Sequence, residues 1–206
     1  MGELVGVLLA GGMGTRYEEG NKLLATVPGD DEPIVRRAAR SLETAVDYTV
    51  AVLGYESDAV ARTITGAVDE TVYNPDYEQG QSTSVRAGAR TARKRGADAA
   101  VFLPGDMPCV DRTTVDRIAT THRETDSDVV LPTTDGQRGN PVLFDSAMFD
   151  ELLELSGDTG GRVLFDDADV RRIDVADAGI HVDVDTVADR DRLDCNGDTH
   201  GSTPSF

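Results

Sequence analysis

The chain has 206 residues, which suits one domain burying about 70% of its unfolded surface, enough for a core without staples. Its net charge of −18 comes with two lysines only, Lys22 and Lys94, a halophile-like balance that keeps a protein soluble by repulsion and disfavours nucleic acid as a partner. Two cysteines make no disulfide framework, the start has no basic leader segment, and no apolar run reaches spanning length, so a reduced, soluble, cytoplasmic protein is expected.

The first element is a buried strand over Leu4–Leu9, rich in branched residues. It runs into a glycine-rich loop, Leu8 to Lys22, in which Gly11, Gly12 and Gly14 free successive backbone N–H groups to face an anion, and Arg16 and Lys22 add charge. Two well-known phosphate loops do not match. Asn21 separates Gly20 from Lys22 and Leu23 follows, so the Walker hydroxyl is missing; Tyr17 stands where a dinucleotide fingerprint needs its third glycine. A plain strand-to-helix turn is the ordinary alternative, although a lysine retained in so lysine-poor a chain points to an anion.

A helix follows near Ile34–Thr44, then a strand at Tyr48–Leu53, a helix over Ser57–Ile64 that Ser57 or Asp58 could cap, and a short strand at Glu70–Tyr73. Next come a helix at Ser84–Lys94, a buried strand at Ala99–Leu103, and a helix at Thr113–Thr120 entered through Asp111. Strands at Asp128–Leu131 and Pro141–Phe144, a helix at Ala147–Leu155, and late strands at Val170–Val175 and His181–Asp185 complete the alternation, with a short acidic helix after them. The pattern is α/β, one domain over residues 1–193, and 194–206 reads as a disordered tail.

Ligands bind beyond the carboxyl ends of strands in an open α/β sheet. Gly105-Asp106-Met107-Pro108 follows the strand Ala99–Leu103, so Asp106 is a candidate ligand for Mg²⁺; an Asp-initiated turn is the alternative. Asp183 and Asp185 fall on one face of an expected strand, where two carboxylates repel unless positive charge lies near; a solvated edge is the alternative. No histidine spacing suggests zinc or a general base.

The sequence Leu9-Ala10-Gly11-Gly12-Met13-Gly14-Thr15-Arg16, followed six residues on by Lys22, resembles the opening signature of the MobA-like nucleotidyltransferases that build dinucleotide forms of the molybdenum cofactor. Further matches run through Asn74–Gly88, Gly105–Pro108, Arg138–Phe144, Gly157–Arg162 and Asp183–Asp189, so the resemblance extends from about residue 3 to 193. It implies a three-layer α/β/α sandwich with a mostly parallel, mixed sheet, like that of the nucleotide-diphospho-sugar transferases.

It also implies that Leu9 to Thr15 wrap the triphosphate of an incoming NTP, with Arg16 and Lys22 on its phosphates and Ser84 on its base. Asp106 and Asp185 would hold Mg²⁺, and Arg16, Lys22 and Asp106 would carry the catalysis. Arg138, Asn140 and Arg162 would grip the acceptor, since planar guanidinium groups suit phosphate. The implied reaction moves CMP from CTP to the phosphate of molybdopterin with release of pyrophosphate, with transient contact to a molybdoenzyme or its chaperone. The Leu9–Gly12 form of the loop is closer to the guanylyl branch and GTP, whereas GDMP, GNPVLF and GDTGGR are closer to the cytidylyl branch. Val187 departs from the proline usual after the threonine. A sugar-1-phosphate transferase and a non-catalytic nucleotide sensor remain as alternatives.

Overall fold

A computed structural model describes residues 2–157 and 160–195. Eight strands form one mixed sheet in the order β3-β2-β1-β4-β7-β5-β6, with β8 also paired to β5. Its centre is parallel: β1 (Leu4–Ala10) lies between β2 (Tyr48–Leu53) and β4 (Ala99–Pro104), and β3 (Glu70–Tyr73) extends the parallel set beyond β2. Beyond β4 the sheet becomes mixed. β7 (Val142–Asp145) is antiparallel to both β4 and β5 (Val129–Thr134), β6 (Gln137–Arg138) is antiparallel to β5, and β8 (Val170–Asp174) is parallel to it.

The central strands are apolar on both faces because both are covered. Along β1, Leu4 and Leu8 point to one core while Val5 and Val7 point to the other. The first core takes α1 (Ile34–Leu42), α2 (Ser57–Thr63) and α4 (Arg112–Glu124), through residues such as Leu42, Val60 and Ile118. The second takes α3 (Gln81–Arg95) and α5 (Phe149–Leu153), through Val85, Ala89 and Leu152. The result is the three-layer α/β/α sandwich. No helix among the described residues is long and apolar enough to cross a membrane.

Three local expectations need correction. No strand forms at His181–Asp185: Ala178–His181 is a 3₁₀ turn, and the extended residues after it have no ladder partner before α6 (Val187–Asp191). Neither Ser57 nor Asp58 caps α2, because the cap position falls on Glu56 in left-handed conformation (φ 48°), leaving both inside the first turn. The helix expected at Ser84 begins three residues earlier, at Gln81, and its cap position is Gly80 with no side-chain cap.

The cysteines also depart from expectation, since Cys109 and Cys195 form a disulfide across 86 residues of sequence. The reason is tertiary. Val184 N donates to Asp106 O at 3.0 Å, and Val184 packs with Tyr17, Val27 and Ile34 in a small third core against which Leu193 and Cys195 rest. That packing returns the chain's last described residues to the turn after β4. Residues 194 and 195 therefore belong with the fold, and the rest of the expected tail, 196–206, lies outside the described residues.

Candidate active site

The glycine loop leaves the carboxyl end of β1 between two parallel neighbours, where a sheet strand's backbone hydrogen bonds run out. Its glycines serve different ends. A Cβ on Gly11 would come within 3.1 Å of Ser84 Oγ and 3.4 Å of Gly54 N, and Gly14 holds φ +56°, a conformation costly for other residues. Gly12 has nothing within 4 Å of an added Cβ, so its backbone faces open space at the mouth of the cradle. Thr15 and Arg16 are exposed beside it.

Lys22 opens a 3₁₀ turn (Lys22–Leu24) capped by Asn21, whose side chain accepts from Leu23 N at 3.0 Å. The lysine is only 8% exposed. Its Nζ donates to Asp106 Oδ2 at 2.7 Å and to Asp185 Oδ1 at 3.0 Å, while Arg16 Nη2 lies 2.8 Å from Asp185 Oδ2. Burial by itself would lower the lysine pKa, but Asp106 and then Asp185 outweigh it and hold the ammonium above its ordinary range. The lysine is thus charged throughout the neutral range. Burial, then the Asp106 and Asp185 carboxylates, push Asp183 above the usual carboxylate range.

Four residues from three separate segments, Arg16 with Lys22, Asp106 and Asp185, thus meet in one ion-pair network. The Asp106 O to Val184 N bond sets the spacing, since it fixes the backbones of the two carboxylate segments against each other. Extended backbone from Val182 to Asp185 buries Val184 completely and leaves Asp183 and Asp185 on the other side, so alternation holds although the strand does not. Thr186 and Asp189 form a capping box that starts α6, and Val187 occupies its first helical position, where proline is merely well tolerated.

A cavity of about 600 Å³ adjoins this network. Leu9, Asp106, Arg138, Asn140 and Arg162 all line it, together with Phe102, Phe144, Phe165 and Asp183. Asp106 belongs to both the ion-pair network and the cavity. The Arg138 guanidinium lies 5.5 Å from the centre of the Phe165 ring, and Asn140 Nδ2 donates to Met107 Sδ at 3.4 Å. The glycines around these arginines are close-approach positions: a Cβ on Gly139 would meet Ile180 O at 2.5 Å, and one on Gly161 would meet Phe144 Cζ at 2.4 Å. Asp158 and Thr159 of the same segment lie outside the described residues.

Ser84 does not cap its helix. It is buried, and its Oγ accepts from Asn74 Nδ2 at 3.1 Å, which also donates to Thr83 Oγ1 at 2.8 Å. This places Ser84 beside Gly11, at the loop's inner wall. One residue with a clear part in the site escaped the sequence reading. Arg190 of α6 reaches back to donate to Tyr17 Oη at 2.9 Å and Glu19 Oε2 at 2.8 Å, clamping the glycine loop to the segment that bears Asp185. An arginine in an acidic helix gives no sequence signal of a contact 173 residues away.

A mixed sheet whose parallel central strands end in a glycine cradle, with a buried lysine on two aspartates at its lip and an arginine-lined cavity alongside, is the architecture of a nucleotidyltransferase. A family model of the MobA-like NTP transferase domain matches residues 6–173, and the chain belongs to that family. It is 22% identical over 184 residues to the molybdenum cofactor cytidylyltransferase of Escherichia coli K12, covering 89% of this chain and 91% of that protein. It is 27% identical over 183 residues to the bifunctional protein GlmU of Clavibacter sepedonicus, covering 85% of this chain; there it spans only 35% of the relative's length. Among solved structures, Rv0371c of Mycobacterium tuberculosis H37Rv superposes with a TM-score of 0.77 at 27% identity, covering 91% of this chain and 95% of that one. The same mycobacterial protein is also known as a manganese complex, at a TM-score of 0.71, 26% identity and the same coverage of both chains.

Proposed function

We propose that this enzyme transfers CMP from CTP to the phosphate of a molybdopterin-type acceptor and releases pyrophosphate. The observation that carries the reading is the position of Asp106, shared by the Lys22–Asp185 network and the cavity that contains Arg138, Asn140 and Arg162. A nucleotide held by the loop and an acceptor held in the cavity then meet at Asp106. The likeness to the E. coli cytidylyltransferase over most of both chains supports nucleotidyl transfer, and the cytidylyl-like segments around Asp106 and Asn140 favour CTP.

In the reaction, an acceptor phosphate oxygen bonds to the α-phosphorus of CTP while the bond from that phosphorus to the oxygen bridging to the β-phosphate breaks, and pyrophosphate carries off the electron pair. The acceptor oxygen is already ionised at neutral pH, so no general base is needed. Lys22, Arg16 and the N–H groups around Gly12 neutralise charge on the triphosphate and on the leaving group, and transfer depends on positioning and preformed electrostatics. Ser84, fixed by Asn74, faces the base, and Arg138 and Arg162 orient the acceptor.

The donor set suits magnesium. Among the described residues no three or more His, Cys, Asp or Glu side chains form a ready metal cage. Mg²⁺ is usually held by one or two carboxylates plus substrate phosphates and water, which is what Asp106 and Asp185 can offer. Bound there, a divalent cation would supply Lewis-acid neutralisation of phosphate charge. The manganese complex of the mycobacterial relative supports a divalent ion in this fold.

A guanylyl transfer is the second reading, favoured by the Leu9–Gly12 form of the loop. Initial rates with CTP and GTP at equal concentration, with molybdopterin and Mg²⁺, separate the two. Faster turnover of CTP is expected; preference for GTP would overturn the cytidylyl assignment and leave nucleotidyl transfer standing.

A further inference from the structure

The Lys22 ammonium bridges Asp106 and Asp185, the two carboxylates assigned to the divalent cation, through one oxygen of each. It is 2.7 Å from one carboxylate and 3.0 Å from the other, and Arg16 takes the remaining oxygen of Asp185 at 2.8 Å. A divalent ion between these carboxylates would sit about 2.0–2.6 Å from their oxygens. Ammonium and metal cannot share that space. The two basic residues differ in freedom, since the Arg16 side chain is 73% exposed and that of Lys22 only 10%. Arg16 can swing into solvent, whereas the lysine stem lies packed against Gly14, where an added Cβ would be 3.3 Å from its Cγ and Cδ.

We infer that Lys22 is the internal competitor of the divalent cation for Asp106 and Asp185, and that a nucleoside triphosphate promotes metal binding by drawing the lysine onto its phosphates. The inference rests on the metal assignment of the preceding section. Lys22 then has two alternative sets of anionic partners, and both ligands bias the same switch. Triphosphate binding releases the carboxylates, and metal binding releases the ammonium. By linkage each ligand tightens the other equally, and such couplings are typically about 5- to 150-fold.

Manganese binding to the full chain, followed by loss of the free-ion electron paramagnetic resonance signal, tests this without turnover. Phosphates ligate Mn²⁺ themselves, so the deciding titration contains no nucleotide. Lys22→Met keeps the apolar stem against Gly14 and removes the competing charge; it is expected to bind Mn²⁺ about tenfold more tightly than the wild-type chain. Lys22→Arg retains the charge and should stay near the wild-type affinity, which separates charge from packing. Adding Asp106→Asn to Lys22→Met should abolish the gain.

Equal or weaker Mn²⁺ binding by Lys22→Met overturns the inference. If Asp106→Asn still abolishes binding in that case, the metal site stands and only the competition fails. If Asp106→Asn changes nothing, the metal assignment fails with it.

Discussion

Replacing Asp106 with asparagine separates the chemistry of the site from its architecture. The substitution keeps the side chain's shape and one oxygen acceptor but removes the charge shared by the lysine network and the cavity. The fold has other supports there. Lys22 retains Asp185 at 3.0 Å, and the Asp106 backbone still accepts from Val184 N at 3.0 Å, so the loss is one largely buried charge from a lysine that keeps a second carboxylate. That is worth about 1–3 kcal/mol, or a fall in Tm of roughly 2–12 °C for a domain of this size. Removing a stabiliser of transition-state charge commonly costs at least about 100-fold in turnover, or about 2.7 kcal/mol. Pyrophosphate release under saturating substrates, with a thermal melt in the same buffer, reads both quantities. A kcat within about threefold of wild type would remove Asp106 from the mechanism, since that is about 0.65 kcal/mol and far below the expected cost. A Tm loss above about 15 °C would make its role structural, being more than one such pair supplies.

Gly12→Ala, which meets nothing within 4 Å, is expected to melt with the wild type yet weaken CTP binding, while Gly14→Ala adds left-handed strain and a 3.3 Å contact with Lys22 and should lose about 1–2 kcal/mol. Calorimetry of both variants checks the pair, and equal Tm losses would contradict it. Cys109→Ser opens a loop closed across 86 residues, for which chain entropy gives an upper value of about 4–5 kcal/mol; an unchanged denaturant midpoint would show that the bond contributes nothing. With a net charge of −18, Tm should rise between dilute buffer and molar KCl as repulsion is screened. Equal Tm values would argue against self-repulsion as a limit on stability.

The parallel half of the sheet was legible because its strands are short apolar runs set between helical patterns, and the bounds at Tyr48–Leu53 and Glu70–Tyr73 coincide with those observed. Legibility fell where tertiary contacts replace local pattern. The alternation Asp183-Val184-Asp185 reads as a strand, but its hydrogen-bonding partner is a turn at Asp106, so the carboxylates share a side without joining the sheet. Helix α3 starts at Gln81 because Gly80, at φ 106°, turns the chain there, and no side chain caps it. The disulfide and the Arg190 clamp depend on the C-terminal segment folding back over the glycine loop, which no spacing rule describes. For the site, the glycine loop after β1 and the turn after β4 were readable as strand ends, whereas Asp185 was joined to Arg16, Lys22 and Asp106 only by the family resemblance, since no strand ends there. What they did not suggest is that the lysine would lie on the carboxylates and not beside them.

The most direct measurement is transfer of label from α-³²P-CTP to molybdopterin by the purified full chain with Mg²⁺. Acceptor-dependent labelling, with pyrophosphate released in equal amount, is the expected result. Absence of labelled product from CTP and GTP alike, by a folded protein supplied with acceptor and metal, would contradict the proposed acceptor and reaction.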